Sequence, residues 1–393
     1  MGVSTGGSAG TGGSGLDSEN RGSGSGGAIG SGGVAPIAGG DGGSASGGNP
    51  DTGASGWGGG GAIGSGRVVP VTGSGGATDS DGDAGTIVDG SSADGSRTPI
   101  ADPGSDGDGV FQIASPFHTA PEMSKGTAAP KGTLIRFSMG NSTTFKDGSR
   151  NVGIYVPAGY VSGTEIPFMV AQDGIAAQNG GSFGTDDLQP LLDNMIAAKT
   201  IPMMAGIFVD PGSARSVEYD TVSDKYYQFV ETELLPAVVD QAKTKNITLN
   251  LTKDPEGRAA FGGSSGGAAA FTMGWFHPES YRRILTISGS FVKLQPSAMY
   301  PGGCADYHTT LIPNMPAKPL RVFLAAGTEQ TGELSGRGGW RVANDAMAMA
   351  LGAKGYHYRY IQAAGASHED DGARRQYLPA AMEWLWRGYP VAK

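Results

Sequence analysis

Two serines lie between two pairs of glycines in the stretch "FGGSSGG", residues 261–267. Glycine is poor inside helices and strands, so four glycines in six positions predict a backbone that turns sharply or is approached closely. An apolar run precedes this turn and an alanine-rich run follows it, which predicts a strand before the serines and a helix after them. A serine in that context is typical of a nucleophile elbow, which presents the hydroxyl at a helix N-terminus, where negative charge is favoured.

The elbow pattern Gly-x-Ser-x-Gly fits this stretch in two overlapping frames, one centred on Ser265 and the other on Ser264. We predict Ser265 as the nucleophile, because that frame leaves Gly266 and Gly267 to begin the helix. The N–H of Gly266, the residue after the nucleophile, is then expected to form one half of an oxyanion hole.

The second half of the oxyanion hole should come from the loop after an earlier central strand. The run "PFMVAQDGIAA" supplies such a strand and loop. We predict the N–H of Ile175 as the second donor, with that of Gly174 as the next choice.

A serine nucleophile needs a general base and an acid that orients it, and the chain order in folds with this elbow is serine, acid, histidine. Of the five histidines, His368 stands in "GASHEDDG", between a predicted strand and the last predicted helix, and we predict it as the base. The acid should follow the predicted strand "LRVFLAAG", where Glu329 and Glu333 both stand. We predict Glu329, which is closer to the strand end, and Glu333 stays an alternative.

From about Thr133 onward, short apolar runs alternate with segments of helical periodicity. The runs "TLIRFSM" and "RNVGIYVP" predict a leading antiparallel pair. Several of the later runs are apolar nearly throughout, which is typical of strands buried on both faces of a parallel sheet. The alternation predicts a three-layer α/β architecture with a mostly parallel central sheet.

The first 109 residues have a different composition, since more than half of the 70 glycines lie in the first 110 residues. A segment with so little to bury cannot offset the entropy of ordering, so we predict a disordered Gly/Ser/Asp-rich arm over 1–109 and one domain over 110–393. The arm holds one imperfect repeat with a period of 34 residues, at 26–40 and 60–74. Its stretch "DSDGDAGTIVDG" has Ala84 where a calcium loop has its glycine and Gly90 where the loop has its glutamate, and we interpret the stretch as acidic linker.

The net charge of −9 argues against a nucleic-acid partner, because no basic surface would neutralise phosphates. No apolar run is long enough to cross a bilayer, and no signal peptide is visible at Met1. Cys304 is the single cysteine and excludes an internal disulfide framework. No cluster has metal-ligand spacing, so neither a metal nor an organic cofactor is predicted. The sequence leaves the oligomeric state open.

Several motifs, in this order, resemble one esterase family: "QDG" after a strand, "RSVEYD", "FVETELLP", "RAAFGGSSGGAAAFTMGWFHPESYRRILTISGSF", and "GASH" before a closing "AMEWLWRGYP". The family is the enterochelin esterase-like and esterase D-type group, which includes feruloyl and acetylxylan esterases. The resemblance covers about residues 132–390. It implies the α/β-hydrolase fold, a Ser265–His368 pair and an acyl-enzyme mechanism. Arg215 and Glu218, within "RSVEYD", are expected to form a structural ion pair beside the pocket.

These observations together predict a serine carboxylic-ester hydrolase. The arm suits a stalk on a secreted or cell-surface enzyme whose signal sequence is not part of this chain. The expected substrate is a small-molecule or polysaccharide-linked ester, such as a feruloyl or acetyl ester, or a siderophore ester. Two alternatives stay open: an acyltransferase of the same fold, and a surface-binding protein with a degenerate hydrolase domain. The family commonly carries an acid where this chain has Gln330, which motivates the second alternative.

Overall fold

The computed structural model describes residues 104–140, 142–174, 185–328 and 339–391, all within the unit Ser91–Lys393. Residues 1–103 of the predicted arm lie outside the described residues, and with them the glycine-rich repeat and the acidic stretch 79–90. Ile175, Glu329, Gln330 and Glu333 lie outside them as well.

The centre of the described part is a nine-stranded sheet, accompanied by a small parallel pair of two-residue strands. The strands in chain order are β1 (Gly109–Ala114), β2 (Thr133–Met139), β3 (Arg150–Val156), β4 (Glu165–Ile166), β5 (Phe168–Gln172), β6 (Ala205–Val209), β7 (Asn250–Leu251), β8 (Arg258–Gly263), β9 (Arg283–Ile287), β10 (Arg321–Gly327) and β11 (His357–Ala364). The order across the large sheet is β1-β11-β10-β9-β8-β5-β6-β3-β2, and β4 pairs with β7.

All neighbours from β1 to β6 in that order run parallel, whereas β3 is antiparallel to both β6 and β2. The predicted antiparallel pair at the start of the domain and the mostly parallel sheet are therefore confirmed. The strands β5, β6, β8, β9 and β10 are buried along their whole length, which explains why their sequences are apolar without alternation.

Helices cover both faces of the sheet and complete three layers. Their bounds are α1 (Thr185–Ala197), α2 (Arg215–Tyr219), α3 (Lys225–Phe229), α4 (Leu235–Lys243), α5 (Ser264–Phe276), α6 (Ile312–Asn314), α7 (Trp340–Ala353) and α8 (Asp371–Leu385). One apolar core packs α3, α4, α5 and α7 on one face, and a second packs α1 and α8 on the other. The α/β-hydrolase fold predicted from the family resemblance is confirmed. Of the helices in the described ranges, none combines the length and apolarity that crossing a bilayer requires.

Two helices differ from their predicted form. Apolar residues at helical spacing predict a helical segment over 223–245, and the structure divides it into α3 and α4, which are joined by a π-helical turn at Val230–Leu234. Pro236, in the first turn of α4, has no N–H to donate, which favours a change of register immediately before it. The second difference is that α5 begins at Ser264 and not at Gly267.

The N-terminal boundary of the folded part also precedes the predicted one. The edge strand β1, which the sequence reading did not assign, pairs along its length with β11. Just before it, Asp108 accepts from Trp384 Nε1 at 3.2 Å and contacts His357 Nδ1 at 2.7 Å. These contacts place Asp108 on the domain, although the sequence reading put it in the arm. The remainder of the predicted arm stays a prediction.

Candidate active site

The turn between β8 and α5 has the backbone of a nucleophile elbow, and Ser264 occupies its strained position. Ser264 has a φ of 53°, in the left-handed region that side chains other than glycine rarely adopt. Gly263 before it is extended, and the helix begins at Ser264 itself. The Ser264 side chain is half-buried, whereas Ser265 is only 5% exposed. The elbow therefore presents Ser264 to solvent and turns Ser265 inward.

The glycines around Ser264 are required by close contacts. A Cβ on Gly262 would lie 2.4 Å from the carbonyl carbon of Gly266. A Cβ on Gly266 would lie 2.9 Å from Asp173 Oδ2 and 3.1 Å from Gln172 Cβ. The Gly-x-Ser-x-Gly frame that the fold enforces is therefore the one centred on Ser264.

His368 reaches this serine from the loop after β11. Its Nε2 lies 3.0 Å from Ser264 Oγ. The loop can approach because β10 ends in Gly327, where a Cβ would lie 2.2 Å from the Ala366 carbonyl oxygen. The loop is tied down further by the Gly365 N–H, which donates to Thr328 Oγ1 at 2.8 Å.

The surroundings of His368 favour its neutral form. The ring packs edge-on against Trp340, with 5.0 Å between the ring centroids, and keeps part of its surface exposed. Desolvation by the surrounding protein, together with the positive charge of Arg215, lowers the pKa of His368 from 6.5 to about 4. At neutral pH the imidazole is therefore uncharged and can accept a proton from Ser264.

Ser265, the predicted nucleophile, is not brought to His368. Its side chain is buried beside the carboxylate of Asp220, which accepts from Ser216 Oγ at 2.6 Å. Burial raises the pKa of Asp220 to about 6, although the neighbouring Ser216 and Ser265 act to lower that pKa. The reason for the difference is the start of α5: because the helix begins at Ser264, the next residue is already helical and points into the protein.

The two charged residues of the "RSVEYD" element do not pair with each other. Arg215 binds Asp173 through two hydrogen bonds, Nε to Oδ1 at 2.8 Å and NH2 to Oδ2 at 2.7 Å. Glu218 is buried and pairs with Arg150 at 2.8 Å. The predicted Arg215–Glu218 ion pair is therefore wrong, because the short helix α2 directs the two side chains toward different strands.

Of the predicted oxyanion donors, Gly266 is described and Ile175 is not. Gly266 lies two residues after Ser264, in the first turn of α5. Gly174, the second choice in the loop after β5, donates its N–H to the Val209 carbonyl at 3.4 Å. The N–H that directly follows Ser264 belongs to Ser265.

Sequence reasoning missed two residues that the fold places at this site. Ser290, in the loop after β9, has its Oγ 3.4 Å from Ser264 Oγ. Trp340, the first residue of α7, donates its indole N–H to Ser290 Oγ at 2.9 Å. The available signal was positional: Ser290 lies in the loop after β9 and Trp340 begins the helix after β10, and the carboxyl ends of these strands form the edge of the sheet where open α/β sheets bind ligands.

Comparison with known proteins places this geometry in a family. The profile of the "Putative esterase" family matches residues 142–368, which is more than half of the 393-residue chain. No curated protein sequence matches the chain significantly.

Solved structures with a TM-score of 0.50 share the fold. The enterobactin esterase of Shigella flexneri aligns with a TM-score of 0.50 and 21% identity over 69% of this chain and 63% of its own. Ferric enterobactin esterase of Salmonella typhimurium has a TM-score of 0.50 and 21% identity over 69% of this chain and 62% of its own. A ferulic acid esterase of Anaeromyces mucronatus has a TM-score of 0.49 and 13% identity, over 69% of this chain and 98% of its own.

The chain thus spans less than two thirds of the length of the enterobactin esterases that it matches. The profile match includes both the elbow and His368. On that match, the chain belongs to the "Putative esterase" family.

Proposed function

We propose that the protein is a serine carboxylic-ester hydrolase in which Ser264 is the nucleophile and His368 the general base. The observation that carries the proposal is the 3.0 Å contact between Ser264 Oγ and His368 Nε2, made by a serine in the strained elbow conformation. In this proposal Ser264 replaces Ser265, whose side chain is buried beside Asp220.

The geometry supports a two-step acyl-enzyme mechanism. In the first step the Ser264 O–H bond breaks, its proton passes to His368 Nε2, and Oγ attacks the ester carbonyl. The tetrahedral intermediate then expels the alcohol, which takes the proton from Nε2. In the second step a water gives its proton to Nε2 and attacks the acyl carbon, and Ser264 Oγ leaves with that proton as the free acid is released.

Two backbone donors are proposed for the oxyanion. The N–H of Ser265 follows the nucleophile and lies in the first turn of α5, where helical N–H groups have no partner within the helix. The N–H of Ile175 is proposed as the second donor, since it follows the strand β5 next to β8. The N–H of Gly266 is the less suitable of the predicted pair, because it lies one residue farther from Ser264.

Glu329 is proposed as the acid that orients His368, with Glu333 as the alternative. Both follow β10, which lies beside the strand that carries His368. If Glu329 holds this role, Glu329→Gln lowers kcat by orders of magnitude and leaves KM nearly unchanged, because an imidazole without its carboxylate loses control of its tautomer. Glu333→Gln is the matched control and should have a small effect. The reverse result would assign the role to Glu333.

The proposed substrate is an extracellular ester, with feruloyl or acetyl esters of polysaccharide as the first candidates. The support is the family match and the glycine-rich arm, which suits a secreted or surface-attached enzyme. The pairing of Ser264 with a neutral His368 favours an intact enzyme over a binding protein with a degenerate domain.

The experiment that tests the proposal combines a substrate panel with covalent labelling. Purified protein is assayed with p-nitrophenyl acetate and butyrate, methyl ferulate and acetylated xylan, and released free acid is quantified to separate hydrolysis from acyl transfer. In parallel the protein is labelled with a fluorophosphonate and the adduct is located by peptide mass. Hydrolysis with the adduct on Ser264 supports the proposal; an adduct on Ser265, or no labelling and no turnover, overturns it.

A further inference from the structure

We propose that Ser290 is a positioning residue for the nucleophile, acting through a hydrogen-bonded chain that begins at Trp340. This inference rests on the proposed role of Ser264. Ser290 is fully buried, and its Oγ lies 3.4 Å from Ser264 Oγ. It belongs to the loop after β9, the strand next to the one that carries the elbow.

The direction of the chain follows from which groups can donate. The indole N–H of Trp340 is a donor only, so the 2.9 Å contact makes Ser290 Oγ the acceptor. The hydroxyl proton of Ser290 then remains to be donated, and among the side-chain contacts of the described residues its acceptor is Ser264 Oγ. The Ser264 proton is directed to His368 Nε2. The chain therefore runs from Trp340 through Ser290 and Ser264 to His368.

Backbone contacts hold Ser290 and Ser264 in fixed relation. The N–H of Ser290 donates to the carbonyl oxygen of Ser264 at 2.9 Å. The amide of Asn344, fully buried in α7, donates to the Gly289 carbonyl at 2.9 Å and to the Trp340 carbonyl at 2.8 Å. The loop after β9 is thereby joined both to the elbow and to the first turn of α7. The contact between the two hydroxyls is consequently built into the fold.

The chain has two effects on the reaction. Donation from Ser290 fixes the Ser264 hydroxyl so that its own proton points to the imidazole. When that proton moves to Nε2 and Oγ forms its bond to the acyl carbon, Ser290 keeps its proton and still donates to Oγ. In the second step the same hydrogen bond supports Oγ as a leaving group. Ser290 thus acts through Ser264 and has no proton-transfer role of its own.

The test measures the second-order rate of fluorophosphonate labelling and the Tm of wild type, Ser290→Ala, Trp340→Phe and the double variant. Ser290→Ala should label about three- to tenfold more slowly, the range expected for one neutral hydrogen bond at the 3.4 Å separation of the two hydroxyls. Trp340→Phe keeps a ring against His368 but removes the N–H, and should label about threefold more slowly. The double variant should be no slower than Ser290→Ala, because both changes break one chain. Ser280 follows α5, and its hydroxyl is hydrogen-bonded to the Tyr227 hydroxyl. Ser280→Ala is the matched control and should label at the wild-type rate.

Three outcomes separate the possibilities. Wild-type labelling together with wild-type rates in Ser290→Ala overturns this inference and leaves the proposed function standing. Effects of Ser290→Ala and Trp340→Phe that multiply in the double variant also overturn it, since they would be independent. If Ser290→Ala does not fold, Trp340→Phe alone decides: a wild-type labelling rate in that variant overturns the inference. Absence of labelling in the wild type overturns the proposed function itself.

Discussion

The carboxyl edge of the central sheet, where the parallel strands end, differs in structure from the amino edge, where they begin. At the carboxyl edge, residues other than glycine take left-handed backbone conformations: Asp173 after β5 (φ 57°), Ser264 after β8 (53°), Ser288 after β9 (48°) and Glu369 beyond β11 (54°). Each such residue costs about 1 kcal/mol or more relative to ordinary backbone. The candidate active site lies at this strained edge.

At the amino edge, three neighbouring strands each begin with a buried arginine: Arg258, Arg283 and Arg321. Each guanidinium lies over an aromatic ring and has a carboxylate partner, respectively Tyr281 with Glu231, Trp386 with Glu256, and Trp384 with Asp108. These contacts fix where the strands start. The strands are therefore held by buried arginine contacts at their amino ends, while their carboxyl ends carry the strained backbone and the candidate active site.

The largest expected effect is on activity at the carboxyl edge. Ser264→Ala should lower kcat for a short-chain p-nitrophenyl ester by at least about 10⁴-fold with Tm unchanged, because it removes only the attacking oxygen. Ser265→Ala is the matched control and should lower kcat by less than about tenfold, since its side chain is buried beside Asp220. If Ser265→Ala loses nearly all kcat while Ser264→Ala stays active, the assignment of Ser264 as the nucleophile is refuted.

At the amino edge the expected effect is on stability. Arg283 is 1% exposed and donates to Glu256 Oε2 at 2.9 Å and to the Leu385 carbonyl. Arg283→Met should lower the free energy of unfolding by about 3–5 kcal/mol, because it leaves buried acceptors unpaired. Urea denaturation measures this, and kcat at 25 °C should be nearly unchanged.

Arg282→Met is the control for this change, because Arg282 reaches the same Glu256, at 3.4 Å, from a more exposed position. It should change the free energy of unfolding by less than about 1 kcal/mol. Equal losses of unfolding free energy in the two variants would contradict this prediction. A large loss of kcat in the Arg283 variant would also contradict it, because the amino edge would then contribute to activity.

The pH dependence of activity tests the charge at the carboxyl edge. Because the pKa of His368 is lowered to about 4, kcat/KM should stay high as pH falls below 6.5 and decline only as the imidazole gains its proton. Arg215→Met removes a positive charge that opposes this protonation, so the acid limb should move to higher pH. Arg215→Lys keeps the charge and should leave the limb in place. If the acid limb stays at the same pH in both variants, the charge of Arg215 does not affect the pKa of His368.

The smallest expected effect measures the strain itself. Ser264→Gly and Ser264→Ala should both be inactive, but the glycine variant should be more stable by about 1 kcal/mol, since glycine tolerates a positive φ. At Ser265, already helical, the order should reverse, with alanine more stable than glycine by about 0.5–1 kcal/mol. Thermal unfolding of the four variants measures both differences. The same order at both positions would argue against strain at the elbow.

Much of the fold could be read from local sequence. The apolar runs of β5, β6 and β8 to β10 predicted strands because residues buried on both faces must be apolar. The edge strand β1 was missed, since "VFQIA" carries little pattern and its partner β11 lies about 250 residues away. The arginine that begins each of "RAAFGG", "RILTIS" and "RVFLAAG" is visible in the sequence, but its aromatic and acidic partners come from distant segments.

For the site, the sequence by itself determined that the elbow follows β8, that one of two adjacent serines is presented there, and that His368 stands in the loop able to reach it. Only the tertiary structure decided between the serines. Both frames satisfy the same pattern of glycines, and the choice depends on which serine takes the positive φ. That choice is set by contacts across the fold: Gly262 against Gly266 within the turn, and Gly266 against Asp173 of the neighbouring strand end. Ser290 and Trp340 join the site for the same physical reason, because packing brings together strand and helix ends that no local spacing relates.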